Sequence, residues 1–397
     1  MAKTLVYQLY PSSWGHIAEM TRHLHRICKL GVDYVWLGPI YPSPWHDHGY
    51  DVKNYRGIRS NFGTMKDFDH FVATAHQLGI KVLMDLVLNH TSTKHEWFTT
   101  KPEYYCWSDV DHPGWRNLFS NGPAWRYNEE RELYYLHLFH DEQADLNWFP
   151  DGRINQELVS EFKQIVSFWV NRHGVDGFRL DFPQAINKDF SWEILKFDNL
   201  LQGHRGAEVI DAIFSEEKSP FLIMECFDPT FGEIVEYYAD HTPVDFVLNV
   251  MVKESVDNGW SAFAQCLGQS TKTPAFMLDL ESHDSPRFPS RAHTSPERAI
   301  ETMFGSSAEG ICLYQGQELG LKNPSERELS DSDLMKLDAQ TAMRFILGES
   351  LEELRPLSRA NARVPFPFDV YEAQTSDPVN SYFFFTQACI ENWKNNT

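Results

Sequence analysis

The sequence predicts an α/β protein built as a (β/α)8 barrel with a small insertion subdomain after its third strand. Short apolar runs rich in β-branched and aromatic residues alternate with longer stretches of helical period, the pattern of a parallel sheet with helical crossovers. The runs number eight, the count that closes a barrel. Neither G-x-G-x-x-G nor G-x-x-x-x-G-K occurs, so the phosphate loop that a doubly wound open sheet would want is missing.

In chain order, strands are expected at 5–10 (LVYQLY), 34–40 (YVWLGPI), 81–89 (KVLMDLVLN), 177–181 (GFRLD), 221–226 (FLIMEC), 245–250 (DFVLNV), 275–280 (AFMLDL) and 311–316 (ICLYQG). Helical period places helices near 16–30, 64–79, 157–173, 191–202, 230–240, 253–267, 296–308 and 378–394. The connection after the third strand runs for about 65 residues rich in Trp, Tyr, His and Pro, far beyond an ordinary loop. It is therefore read as a subdomain, 91–155, inserted into a barrel made of 1–90 and 156–397. A second long connection, 317–377, is punctuated by Pro365 and Pro367 and is expected to cover the mouth of the barrel. At 397 residues the chain exceeds the usual single domain, and large barrels are the main exception to that size rule.

Acidic residues outnumber basic ones by 56 to 35, a net charge of -21 that repels phosphate backbones and anionic membranes, so neither nucleic acid nor membrane is an expected partner. A neutral small molecule fits better, and the 12 Trp offer flat faces for sugars as well as for the core. The six cysteines form no C-x-x-C pair, and His46, His48 and the pair His23 and His25 match no ligand spacing, so no metal or other cofactor is expected. No apolar run has signal-peptide or membrane-spanning length, and the expected location is the cytoplasm.

In such a barrel the working residues sit where strands end. Polar groups gather there: Asp85, Asn89 and His90 after the third strand, Arg179 and Asp181 on the fourth, Glu225 on the fifth, His283 and Asp284 after the seventh. One Asp at a strand end is as ordinary as a helix cap. Three carboxylates around one Arg are costly to crowd together and point to acid, base and nucleophile work.

The segments DLVLNH, GFRLD, MEC and SHDSPR resemble, in order, the four conserved regions of the α-amylase family, glycoside hydrolase family 13. IYPSPWHDHGYDVKNY, SNFGT, YYLHLFHDEQADLNW, YQGQELGL and SRANARVPF narrow the resemblance to the oligosaccharide α-glucosidase branch, which includes oligo-1,6-glucosidase, dextran glucosidase and sucrose isomerase. The resemblance implies a TIM barrel and a retaining mechanism: Asp181 attacks the anomeric carbon, Glu225 is acid and base, and Asp284 grips sugar hydroxyls as the transition state forms. It implies that Arg179 keeps Asp181 ionised, that His90 and His283 donate to the bound glucose, that Tyr50 lies under its ring, and that Asp47 and Arg363 pair to hold the non-reducing end. Asp51 is expected to be structural.

Three departures qualify that picture. YPSSWGH stands where many relatives carry a calcium loop, so no calcium is expected there. Phe182 and Pro183 follow the nucleophile where Val or Ala tracks linkage, so a bulky ring is expected to narrow that space. The chain ends at Thr397, where relatives continue into a β-sandwich, so that domain is expected to be absent, through compact design or truncation. The aromatic last helix is then a candidate for homo-oligomer contact. The leading expectation is hydrolysis of short α-glucosides from the non-reducing end. Glucosyl transfer or sucrose isomerisation on the same site is the alternative, and a non-catalytic interaction protein the remote one.

Overall fold

A computed structural model describes residues 3–215, 219–273, 275–325, 328–338, 349–367, 369, 370, 372, 374 and 381–395. Eight parallel strands close a barrel: β1 Thr4–Leu9, β2 Tyr34–Leu37, β3 Lys81–Val87, β4 Gly177–Asp181, β5 Phe221–Cys226, β6 Phe246–Asn249, β7 Phe276–Asp279 and β8 Gly310–Tyr314. Each pairs with its sequence neighbours, and β8 returns to β1 with Val6 opposite Cys312. Both faces of these strands are covered, which is why they read as continuous apolar runs. Val6, Trp36, Leu83, Ile223, Leu248, Met277 and Cys312 fill the interior, while a larger core lies between strands and helices.

The crossover helices are α1 Ile17–Cys28, α2 Met65–Gln77, α3 Gln156–Ser167, α4 Arg205–Phe214, α5 Glu233–His241, α6 Trp260–Ser270, α7 Pro296–Phe304 and α8 Tyr382–Asn395. Their starts follow capping chemistry: Thr64 and Asp67 form a reciprocal box at α2, Asn155 caps α3, and Ser295 precedes Pro296 at α7.

Two helix expectations need correcting. The fourth was expected at 191–202, but that segment holds only the short helix Phe197–Leu201, and the crossover is α4. Leu195, Leu200 and Leu201 instead pack with Trp115, Trp125 and Leu138 of the insertion, so their apolar spacing serves a second small core. The sixth was expected unbroken from 253; it is split into Val250–Glu254 and α6, because Gly259 takes φ 96 between them. The start of the eighth expectation, 378–380, lies outside the described residues.

Within 91–155, Gln143–Asp145 pairs antiparallel with His90–Ser92, and Trp107–Ser108, Leu133–Leu136 and Trp125–Asn128 form a three-stranded sheet. On α8, Phe383 and Trp393 are buried and Tyr382, Phe384 and Phe385 half-buried. No described helix is long and apolar enough to cross a membrane.

Candidate active site

Arg179 organises the carboxyl end of the barrel. It is 1% exposed, and a guanidinium taken from water needs counter-charges. Parallel pairing of β3 with β4 sets Asp85 beside it. Its Nη1 donates to Asp85 Oδ1 at 2.6 Å and to Asp181 Oδ1 at 2.7 Å, and its Nη2 lies 2.8 Å from Glu225 Oε2. One guanidinium thus bridges the two carboxylates at the ends of β4 and β5. Asp85, further held by the Trp36 indole at 2.9 Å, is pushed up to about 6 by burial.

Burial raises both Asp181 and Glu225 from their ordinary values, against the pull of Arg179. Phe182 sits at φ 29, a strained conformation for a non-glycine residue, and this turns its backbone N–H to Glu225 Oε2 at 3.2 Å.

Asp284 follows the opposite logic. Burial alone would raise it, yet His283 Nε2 at 2.8 Å, Arg359 Nη1 at 3.1 Å and Arg363 Nη2 at 2.9 Å hold it well below the ordinary range. His283 receives Gln8 Nε2 on its Nδ1 at 2.7 Å, so its Nε2 carries the hydrogen that faces Asp284. Burial pushes this imidazole down to about 4, and Tyr50 stacks on it at 5.5 Å. Asp51 is structural, accepting from Ser43 Oγ and from the N–H groups of His46 and Asp47.

Asp47, Tyr50, His90, Asp181, Glu225 and Asp284 line one pocket of about 260 Å³. Arg179, His283 and Arg363 stand behind its wall. Of the two residues expected to hold the non-reducing end, Asp47 lines the pocket and Arg363 lies behind it; the arginine beside Asp47, at 3.6 Å, and lining the pocket is Arg359. Arg363 is spent on Asp284 and on the carbonyls of His283 and Leu337. Sequence reasoning missed Arg359 although SRANARVPF contains it; sharing that motif with Arg363, it gave no sign of which arginine reaches the pocket. Also missed were Lys253 and Glu254, just beyond β6, and Phe119, Phe139, Phe197 and Phe227. Phe182 was expected to crowd the nucleophile and does line the pocket.

Among the described residues, three buried polar atoms at this wall make no hydrogen bond: His90 Nε2, and Asp47 Oδ1 and Arg359 Nη2, which face each other as an ion pair at 3.6 Å. Orphaned groups of this kind are costly unless a ligand completes them.

Comparison with known proteins agrees with this geometry. The description "Alpha amylase, catalytic domain" matches residues 8–384. The chain is 32% identical to trehalose-6-phosphate hydrolase of Escherichia coli strain K12, over 91% of its own length and 74% of that protein's. It is 30% identical to glucan 1,6-alpha-glucosidase of Streptococcus pneumoniae, over 92% of its length and 75% of that protein's. The fold superposes on trehalulose synthase from Pseudomonas mesoacidophila MX-45 with a TM-score of 0.85, at 22% identity, covering 99% of this chain and 84% of that one. With residues 8–384 of its 397 matched to that catalytic domain, the chain belongs to the α-amylase family of glycoside hydrolases.

Proposed function

We propose that the protein hydrolyses short α-glucosides from the non-reducing end with retention of configuration. Asp181 attacks the anomeric carbon while Glu225 protonates the leaving oxygen; Glu225 then takes a proton from water, which displaces Asp181 and releases α-glucose. Asp284, held ionised, grips ring hydroxyls more tightly as the transition state forms. Tyr50 underlies the ring, His90 and Arg359 donate to its hydroxyls, and Asp47 accepts. His283 and Arg363 act through Asp284, and Arg179 sets the charge of the nucleophile.

The observation that carries this reading is the set of buried polar atoms without a hydrogen bond, His90 Nε2 and the loosely ion-paired Asp47 Oδ1 and Arg359 Nη2, on residues that share one small pocket with Asp181 and Glu225. A hexose hydroxyl both donates and accepts, so one sugar ring can satisfy all three. The volume of about 260 Å³, below the usual range for drug-sized ligands, favours a single terminal ring over an open cleft. Glucosyl transfer remains the second reading, favoured by the phenylalanines near Glu225, which would hold water away from the intermediate.

Product analysis on sucrose, maltose, isomaltose, trehalose and trehalose 6-phosphate, beside Asp181→Ala, tests both. Release of α-glucose, lost in the variant, supports hydrolysis; new glucosides without matching glucose support transfer; a variant as active as the parent overturns both.

We place the protein in the cytoplasm, a reading supported by six free thiols, three of them in the core. Segment 91–155 acts as the subdomain that brings Phe119 and Phe139 to the pocket and sets Gln143 behind Asp47, to which it donates at 3.1 Å. Self-association through α8 would have to use the half-buried rings of Tyr382, Phe384 and Phe385. Light scattering at micromolar concentration decides it, a monomeric mass ending that proposal.

A further inference from the structure

The pocket has two chemically different halves. Around Asp47, His90, Arg359 and Asp284 it is polar. Elsewhere Phe119, Phe139, Phe182, Phe197 and Phe227 line it as a connected arc of five rings, with Lys253 and Glu254 as the polar groups beside them. Centroid separations are 5.6 Å from Phe119 to Phe139, 6.2 Å from Phe139 to Phe182, 4.8 Å from Phe182 to Phe227 and 5.5 Å from Phe227 to Phe197. None of these side chains can donate or accept a conventional hydrogen bond.

Glu225 decides which half of the substrate this arc meets. The general acid must face the oxygen that leaves, so groups flanking it face the leaving part. Phe227 lies two residues beyond Glu225, and the backbone of Phe182 is bonded to the carboxylate. Phe182, Phe227 and Phe197 therefore lie on the aglycone side, whereas Phe139 meets His90 at 5.2 Å between ring centroids and Phe119 lies under the Arg359 guanidinium at 5.1 Å. The rim of the arc opens outward, where Phe197 is 37% exposed. An exposed ring at the mouth of a pocket offers a face for an apolar group to cover.

The charges point the same way. Five carboxylates (Asp47, Asp181, Glu225, Glu254 and Asp284) line the pocket against two cations, Lys253 and Arg359. Lys253 is engaged by Asp279 at 2.5 Å and Ser282 at 3.1 Å, and Arg359 by Asp284 and Asp338. Among the described residues, a phosphorylated aglycone would meet these carboxylates with no lining cation outside such ion pairs to receive it.

We propose that the aglycone site takes an uncharged group with an apolar face, an aryl or arylalkyl alcohol, rather than a second sugar or a sugar phosphate. The inference rests on the glucosidase reading above. A second sugar would bring several hydroxyls against three rings that cannot bond them, leaving only Lys253 and Glu254 to receive them, whereas a phenyl ring packs on the arc edge-to-face. The chemistry is unchanged: the bond from the anomeric carbon to the alcohol oxygen breaks as the bond to Asp181 forms, and the Glu225 proton leaves with the alcohol.

The test compares benzyl α-glucoside with isomaltose, since both release a primary alcohol, and adds trehalose 6-phosphate. The parent enzyme is expected to show kcat/KM about tenfold or more higher for benzyl α-glucoside than for isomaltose, and far lower for the phosphate ester. In Phe197→Ala and Phe227→Ala the benzyl-to-isomaltose ratio should fall by about tenfold. Equal or better use of isomaltose or trehalose 6-phosphate, or an unchanged ratio in both variants, overturns the proposal. If no glucoside turns over, the glucosidase reading fails by itself. Calorimetric binding to the Asp181→Ala protein then judges the arc: benzyl α-glucoside should bind about tenfold tighter than methyl α-glucoside, and equal affinity overturns it.

Discussion

His90 depends on residues that never touch the pocket. Lys188, 5% exposed, donates from Nζ to Asn89 Oδ1 at 2.6 Å and to Asp145 Oδ2 at 2.8 Å. With its oxygen so engaged, Asn89 turns its amide nitrogen to His90 Nδ1 at 3.2 Å, which leaves the hydrogen on Nε2, facing the pocket. Burial, helped by the Lys188 charge, pushes His90 down to about 3 and keeps the ring neutral. Lys188 is thus a positioning residue. Lys188→Met should raise KM by about tenfold, with kcat changing less, the mark of lost binding common to ground and transition states. It also strands a buried carboxylate, which costs about 3–5 kcal/mol. The double variant Lys188→Met with Asp145→Asn should regain stability but not KM; recovery of both would make the lysine merely structural. Glu225 yields a second expectation at this scale. Because burial raises it and the reaction needs its acid form, kcat/KM should fall on the alkaline side only above the ordinary glutamate range. A pH profile whose activity is already lost within that range would contradict this.

Among the elements, β4 and β5 approach so closely that a Cβ at Gly177 would stand 1.9 Å from the Phe221 carbonyl oxygen. Gly177→Ala must push apart the two strands that carry Asp181 and Glu225. A loss of more than about 3 kcal/mol is expected in denaturant unfolding, together with lost activity. Gly259 is the contrast: a Cβ there meets nothing within 4 Å, but φ is 96. Gly259→Ala should cost only about 1–2 kcal/mol, for conformation alone, with activity retained. Equal effects at the two positions would refute the distinction between collision and torsion. Element boundaries were legible where apolar runs end in polar residues, as at GFRLD, whose span in the sequence and in the fold coincide. They were illegible at 191–202, because a leucine spaced for a barrel core looks the same as one that packs on an insertion.

For the molecule as a whole, a net charge of -21 opposes compaction. Raising ionic strength from about 10 mM to about 150 mM shortens the screening length from roughly 30 Å to roughly 8 Å, and the melting temperature should rise by a few degrees. A fall would mean that the ion pairs of the fold outweigh the repulsion. The sequence by itself determined the barrel, the order of its elements and the strand-end carboxylates, because period, turn chemistry and strand ends are local properties of the chain. Tertiary structure alone decided that Arg359 rather than Arg363 meets Asp47, that Lys188 reaches His90 through Asn89, and that five phenylalanines spread over 119–227 form one wall. Those outcomes depend on which long-range surfaces pack together, and side chains of equal hydrophobicity or charge carry no mark of that choice until the barrel closes.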